Sequence, residues 1–89
     1  MKDNEIQINT YVYHRARWTC ERCGKSATQV AHRIANTKMN NKKWGKDVIM
    51  HHYNKAASCA KCNDSFNMGF KTMQVLELVD TIREEMDDK

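Results

Sequence analysis

The chain contains no proline, and only three glycines punctuate its 89 residues. With no proline-rich linker, internal repeat or low-complexity tract, it offers no seam at which to divide it, and a single domain is expected. Long hydrophobic runs are missing too, so no stretch is long enough to cross a membrane. The opening residues Met1-Lys2-Asp3-Asn4-Glu5 are polar and lack the apolar run of a secretory signal. These absences set the expectation of a cytoplasmic protein without a membrane partner. At this length a hydrophobic core alone gives little margin of stability, so a staple is to be looked for.

No cysteine is left over. All four lie in two Cys-x2-Cys pairs, Cys20-Glu21-Arg22-Cys23 and Cys59-Ala60-Lys61-Cys62. A tetrahedral Zn2+ takes four thiolates at about 2.3 Å, and two short knuckles are the usual way of supplying them. The four are therefore read as one structural zinc site spanning the 35 residues between the pairs. Metal binding in such a domain is folding free energy. Two disulfides are the alternative use of the same residues, disfavoured in a chain without a secretory signal.

The formal charge of +4 conceals an asymmetry. Between His14 and Lys71 twelve Lys and Arg face three acids, Glu21, Asp47 and Asp64. From Thr72 to Lys89 six acids face two bases. A basic body with an acidic tail suits a polyanionic partner bound away from the C-terminus. Arg33, Lys38, Lys42, Lys43 and Lys46 are the candidates for phosphate contacts.

Hydrophobic spacing places the elements. Ile8, Tyr11, Val12 and Ala16 predict a short helix within 5–18. Gln29 to Ala35 alternates as a strand with Val30, His32 and Ile34 on one face. Asn36 to Asp47 is rich in lysine and reads as an exposed basic loop. Val48 to Tyr53 is either a strand or a single helical turn, and Lys55 to Ser58 is a weak strand. A helix is predicted from Ala60 through Asn67, ended by Gly69. Val75, Leu76, Val79, Ile82 and Met86 predict a packing helix over 71–86. Trp18 and Trp44 are read as packing residues, and His51-His52 as loop or groove surface.

Cys-x2-Cys, a strand carrying His32, then Asn54, then Cys-x2-Cys followed by Asn63 resembles the zinc-stapled branch of the HNH (ββα-metal) endonucleases, across roughly residues 18–69. The resemblance implies an α+β fold, a small ββα-metal domain stapled by the four-cysteine zinc site and flanked by N- and C-terminal helices. It implies His32 as the general base that activates water against a DNA phosphodiester. It implies Asn54 as the residue that fixes the loop between the strands. Asn63 would be a ligand of a catalytic Mg2+ or Mn2+, and Asn67, one turn on, a further ligand. A neutral imidazole accepts a proton near physiological pH, and a cation beside the phosphate offsets charge developing in the transition state.

One position departs from that family. The residue before the base is usually Asp or His and binds the metal, whereas here it is Ala31. Two amides are poor ligands for ions that prefer anionic oxygen. His51, His52 and Asp64 are the nearest substitutes by sequence. The alternative to a nuclease is a non-catalytic zinc-stabilised module that binds nucleic acid or protein.

Overall fold

The computed structural model describes residues 2–69 and 71–87. Its first element, α1 (Lys2–Arg15), delivers the chain to the first cysteine knuckle, as the spacing predicts. Its end is a hydrogen-bonded cap rather than a fray. The Arg17 amide donates to His14 O at 3.0 Å and the Trp18 amide to Tyr13 O at 2.9 Å. This is the Schellman pattern, which satisfies carbonyls that the helix end would otherwise leave open. The accompanying side-chain contact is an aromatic one, Tyr13 and Trp18 stacked with ring centroids 4.7 Å apart. Such a cap needs a left-handed backbone, a position usually given to glycine, yet Arg17 and Trp18 adopt it at φ 56° and 60°.

The knuckle itself turns at Gly24 (φ 81°) and closes with a bridge between Thr19 and Ser26. β1 (Gln29–His32) then pairs antiparallel with β2 (Lys55–Ser58), with Val30 opposite Ala57 and His32 opposite Lys55. Every residue of β2 is buried. β1 is shorter than its alternation predicts, and its inward face is not the predicted one. Ala31 is fully buried, while Val30 and His32 are half-buried. The pleat sends Gln29 and Ala31 to one face and Val30 and His32 to the other. Helix α1 packs on the sheet through Val12, which is fully buried. Ile34, beyond the strand, joins a different cluster.

Residues 36–47, predicted as a loop, are mostly helical. α2 (Lys38–Trp44) starts at Thr37, whose hydroxyl accepts from the Asn40 amide at 3.1 Å. Asn40 Nδ2 donates to Ala35 O, and Asn41 Nδ2 to Asn36 Oδ1 and Thr37 O. Capping and amide bonds therefore hold a helix that buries no residue, which is why hydrophobic spacing does not reveal it. Gly45 (φ 95°) both ends α2 and opens the short α3 (Lys46–Ile49). The ambiguous run at 48–53 is thus helical, finishing α3 and entering a 3-10 turn at His52–Asn54.

After the second knuckle the chain forms only a 3-10 turn, Asn63–Phe66, and Asn67 leaves it in an extended conformation. The helix predicted over 60–67 is not formed, so Asn63 and Asn67 do not share a helical face. α4 (Thr72–Asp87) closes the domain. Val79 and Ile82 of α4 meet Ile34, Val48 and Ile49, with Trp44, Met50, Val75, Leu78 and Met86 around them. Leu76, assigned to the packing stripe by spacing, is exposed, and Leu78 takes that role. The result is a small α+β domain with a two-stranded antiparallel sheet.

The left-handed backbone at Arg17 yields a stability prediction. Arg17→Gly removes a Cβ penalty and should stabilise the fold by about 1 kcal/mol. The measurement is the urea midpoint at unchanged m-value, and an unchanged or lowered midpoint refutes it.

Candidate functional site

The sheet and the two knuckles bring the four cysteines together. Their Sγ atoms all lie within 4.8 Å of one another, and Cys23 Sγ is 3.7 Å from Cys59 Sγ. Tetrahedral Zn–S bonds of about 2.3 Å would place the sulfurs about 3.8 Å apart. A disulfide needs about 2.0 Å, and all four thiols are free. The cluster therefore fits a structural metal such as zinc. Its thiols already share protons unequally. The Cys23 backbone amide holds the Cys20 thiol down to about 6, whereas hydrogen bonding to Cys59 pushes Cys62 up to about 12.

The first knuckle is fastened to the sheet by a residue that neither spacing nor motif singles out. Arg33 N donates to Asn54 O, so that pair is hydrogen-bonded and the next pair, His32 with Lys55, is not. Lys55 and Ala57 accordingly turn their backbone groups toward the outer edge of β2. There Glu21 N donates to Ala57 O at 2.9 Å, and Glu21 Oε2 accepts from Ala57 N at 2.7 Å. Arg15 Nη2 donates to Lys55 O at 2.8 Å and to Glu21 Oε2 at 3.2 Å, and its Nη1 to His52 O. A glutamate between two metal-site cysteines reads as surface charge, and only the hydrogen bonding of the strand edge reveals its role.

Asn54 is fully buried and saturated. Its Oδ1 accepts from Ile34 N at 2.7 Å, and its Nδ2 donates to Ile34 O at 3.1 Å and Ile49 O at 2.8 Å. It ties the exit of β1 to the end of α3. His32, at that exit, is half-buried, and its Nε2 is enclosed without a hydrogen-bond partner among the described residues. Burial holds His32 below the ordinary histidine range, Lys55 adds to the shift, and Glu5 of α1 opposes it. Lys55 is itself fully buried, with Nζ donating to Asn9 Oδ1 of α1 at 2.7 Å. Burial lowers its pKa too, against Glu5.

Asn63 lies on the other side of the sheet. Its Nδ2 donates to Gln29 Oε1 at 2.8 Å and to Ser58 Oγ at 3.4 Å. Gln29 shares its face with Ala31, so Ala31 looks toward Asn63 while His32 looks toward Lys55 and α1. Asn67 Oδ1 accepts from Gly69 N at 2.7 Å, which makes it a turn residue. Asp64 is exposed in the 3-10 turn. His51 Nδ1 accepts from Tyr53 N, and the His51 and His52 rings stack at 4.3 Å. The cysteines are the one group of His, Cys, Asp and Glu suited to a metal among the described residues. A resident Mg2+ thus has no carboxylate cage here. An open cleft of about 530 Å3 is lined by Arg15, Glu21, Arg33, Tyr53, Glu77 and Leu78, and neither His32 nor Asn63 borders it.

Compared with protein-family models, curated proteins and solved structures, the chain matches none. Its own residues are the guide to its function.

The cluster predicts about one zinc per chain by elemental analysis, and loss of helical circular dichroism on strong chelation. A folded protein with two disulfides and no metal would overturn it. Acid should also weaken the fold through His32. Its folded pKa lies below the unfolded value of about 6.5, so the unfolded chain binds the extra proton. Stability is complete above that unfolded value and declines as pH falls toward the folded one. His32→Gln should flatten the slope of urea midpoint against pH below about 6.5, and an unaltered slope would exclude the assignment.

Proposed function

We propose that the chain is a small DNA endonuclease of the HNH (ββα-metal) type, built on a structural zinc. The observation that supports this best is the place of His32 at the strand end that Asn54 holds. Asn54 fixes the segment that carries the chain out of β1 with three hydrogen bonds. At that segment His32 keeps an Nε2 with no partner among the described residues. Its depressed pKa leaves the imidazole neutral at physiological pH, the form that accepts a proton.

In this reading a water oxygen attacks phosphorus, its proton passes to His32 Nε2 once that enclosed atom is uncovered, and the P–O bond breaks as the leaving oxygen takes a proton from solvent. A divalent cation arriving with the substrate phosphate would offset the developing charge. Asn63 offers it one amide oxygen, with Nδ2 already committed to Gln29 and Ser58. The donor set does not fit a resident Mg2+, so the catalytic metal and Asn67 as its ligand lose ground. Ions of this kind are commonly held in part by substrate phosphates. The basic stretch between His14 and Lys71 favours DNA held chiefly by phosphate contacts.

A second reading, a non-catalytic zinc-stapled nucleic-acid module, is favoured by one observation. His32 and Asn63 sit on opposite faces of the sheet, and α1 packs on the sheet beside His32. Plasmid nicking in Mg2+ or Mn2+ separates the two. The nuclease reading expects weak or manganese-favoured nicking that His32→Ala abolishes. Ala31→Asp places a carboxylate on the Asn63 face and should lower the metal concentration for half-maximal nicking. Activity insensitive to His32→Ala, or a folded Ala31→Asp protein less active than the parent, refutes the assignment. DNA binding without nicking leaves the module.

A further inference from the structure

The Schellman cap of α1 explains why an apolar residue follows the helix, but not which residue does. Packing on Tyr13 requires one ring face or a short aliphatic chain. The residue present is a tryptophan that is still 51% exposed, lying parallel to Tyr13 within 4°. The His14 ring stands at 75° to it, with centroids 5.5 Å apart. Trp18 is fixed from both sides of the chain, because its amide is bound to Tyr13 O and its carbonyl accepts from Ala27 N at 2.8 Å. A large aromatic surface is thus held rigid at the protein surface by backbone bonds at each end.

The backbone beneath it is in the left-handed region at two consecutive non-glycine positions. Strain of this kind points from an observed outlier to a function rather than the reverse. Arg17 precedes Trp18 in the chain, and Lys25 stands on the hairpin strand opposite, its carbonyl accepting from Cys20 N while Ala27 N donates to Trp18 O; both cations are exposed. The acid among them, Glu21, is committed to Arg15 and to the edge of β2. The surroundings of the ring therefore present net positive charge. An exposed flat ring beside a positive surface is the combination that holds single strands, where bases stack on aromatics and cations follow the phosphates. A protein partner would equally cover an apolar ring, but the cations favour a polyanion.

We propose that Trp18, stacked on Tyr13 and accompanied by Arg17 and Lys25, is a platform for an unpaired nucleobase of single-stranded DNA. The proposal rests on the DNA reading above and deepens it, since it selects unpaired or branched substrates over plain duplex. It does not require cleavage.

The test uses the full zinc-loaded chain, without Mg2+ or Mn2+, and a twelve-residue oligothymidylate or a duplex of the same length as probes. Oligothymidylate should quench tryptophan fluorescence, and Trp18→Phe should remove most of the quenching while retaining most of the affinity. Trp18→Leu, which keeps an apolar contact to Tyr13, should weaken oligothymidylate binding by about tenfold and leave duplex binding within about twofold. Arg17→Gly should weaken oligothymidylate binding more than duplex binding. Circular dichroism and zinc content establish folding for each variant, and Trp18→Phe reads the platform even where Trp18→Leu does not fold. Equal affinity of Trp18→Leu and the parent for oligothymidylate overturns the proposal, as does quenching that survives in Trp18→Phe. A parent that binds DNA and nicks plasmid but prefers duplex removes the platform and keeps the nuclease. A parent that binds oligothymidylate through Trp18 but never nicks does the opposite.

Discussion

Strand β2 is four residues long, buried throughout, and paired with another strand on one edge only. Its second edge would leave peptide groups without partners in the interior, at a cost of roughly 1–3 kcal/mol for each unsatisfied group. Glu21 and Arg15 close that edge. One carboxylate and one guanidinium bind Ala57 and Lys55 directly and each other at 3.2 Å. The same contact sets the first knuckle against the sheet, so Cys20 and Cys23 arrive where Cys59 and Cys62 leave β2. The metal cluster, the sheet and the end of α1 are therefore one cooperative unit. Loss of the Glu21 carboxylate would be felt at the thiols even though it touches none of them.

What the sequence made legible was what depends on spacing. Four cysteines in two pairs announced the cluster, and the apolar period of α4 announced its packing face. Lys55 to Ser58 looked weak as a strand because Lys-Ala-Ala-Ser has no alternation, yet a strand buried on both faces needs none. α2 was hidden for the opposite reason, since a cap and three amide bonds hold it rather than an apolar stripe. The helix over 60–67 failed because the knuckle and the turn after it close through i+3 bonds, Cys62 N to Cys59 O and Ser65 N to Cys62 O, before Asn67 turns the chain by accepting from the Gly69 amide. The Asn63-Asn67 spacing therefore carried no geometry.

The candidate site divides along the pleat. His32, Lys55 and Asn9 form a polar set between the sheet and α1, fully buried only at Lys55, while Asn63, Gln29 and Ser58 form a more exposed one on the far face. A buried lysine opposite a histidine is costly unless something gains from it, because each disfavours the charged form of the other. The visible gain is a neutral imidazole at the one strand end that Asn54 holds still. Neither Lys55 nor Asn9 carries a motif; the strand register sets Lys55 opposite His32, and α1 brings Asn9 to Lys55.

Gly45 caps the C-terminus of one helix and the N-terminus of the next. α3 buries Val48 and Ile49 in the main cluster, whereas α2 buries nothing and is anchored to it through Trp44. The two helices therefore belong to different layers of stability despite being adjacent in the chain. α2 can melt and re-form as a separate unit, with Gly45 as the boundary and Thr37 as the point of renucleation. Its lysines, Lys38, Lys42 and Lys43, then ride on a segment whose amides exchange with solvent long before those of α3 and β2 do. The lysine-bearing segment can rearrange while the cysteine cluster stays closed.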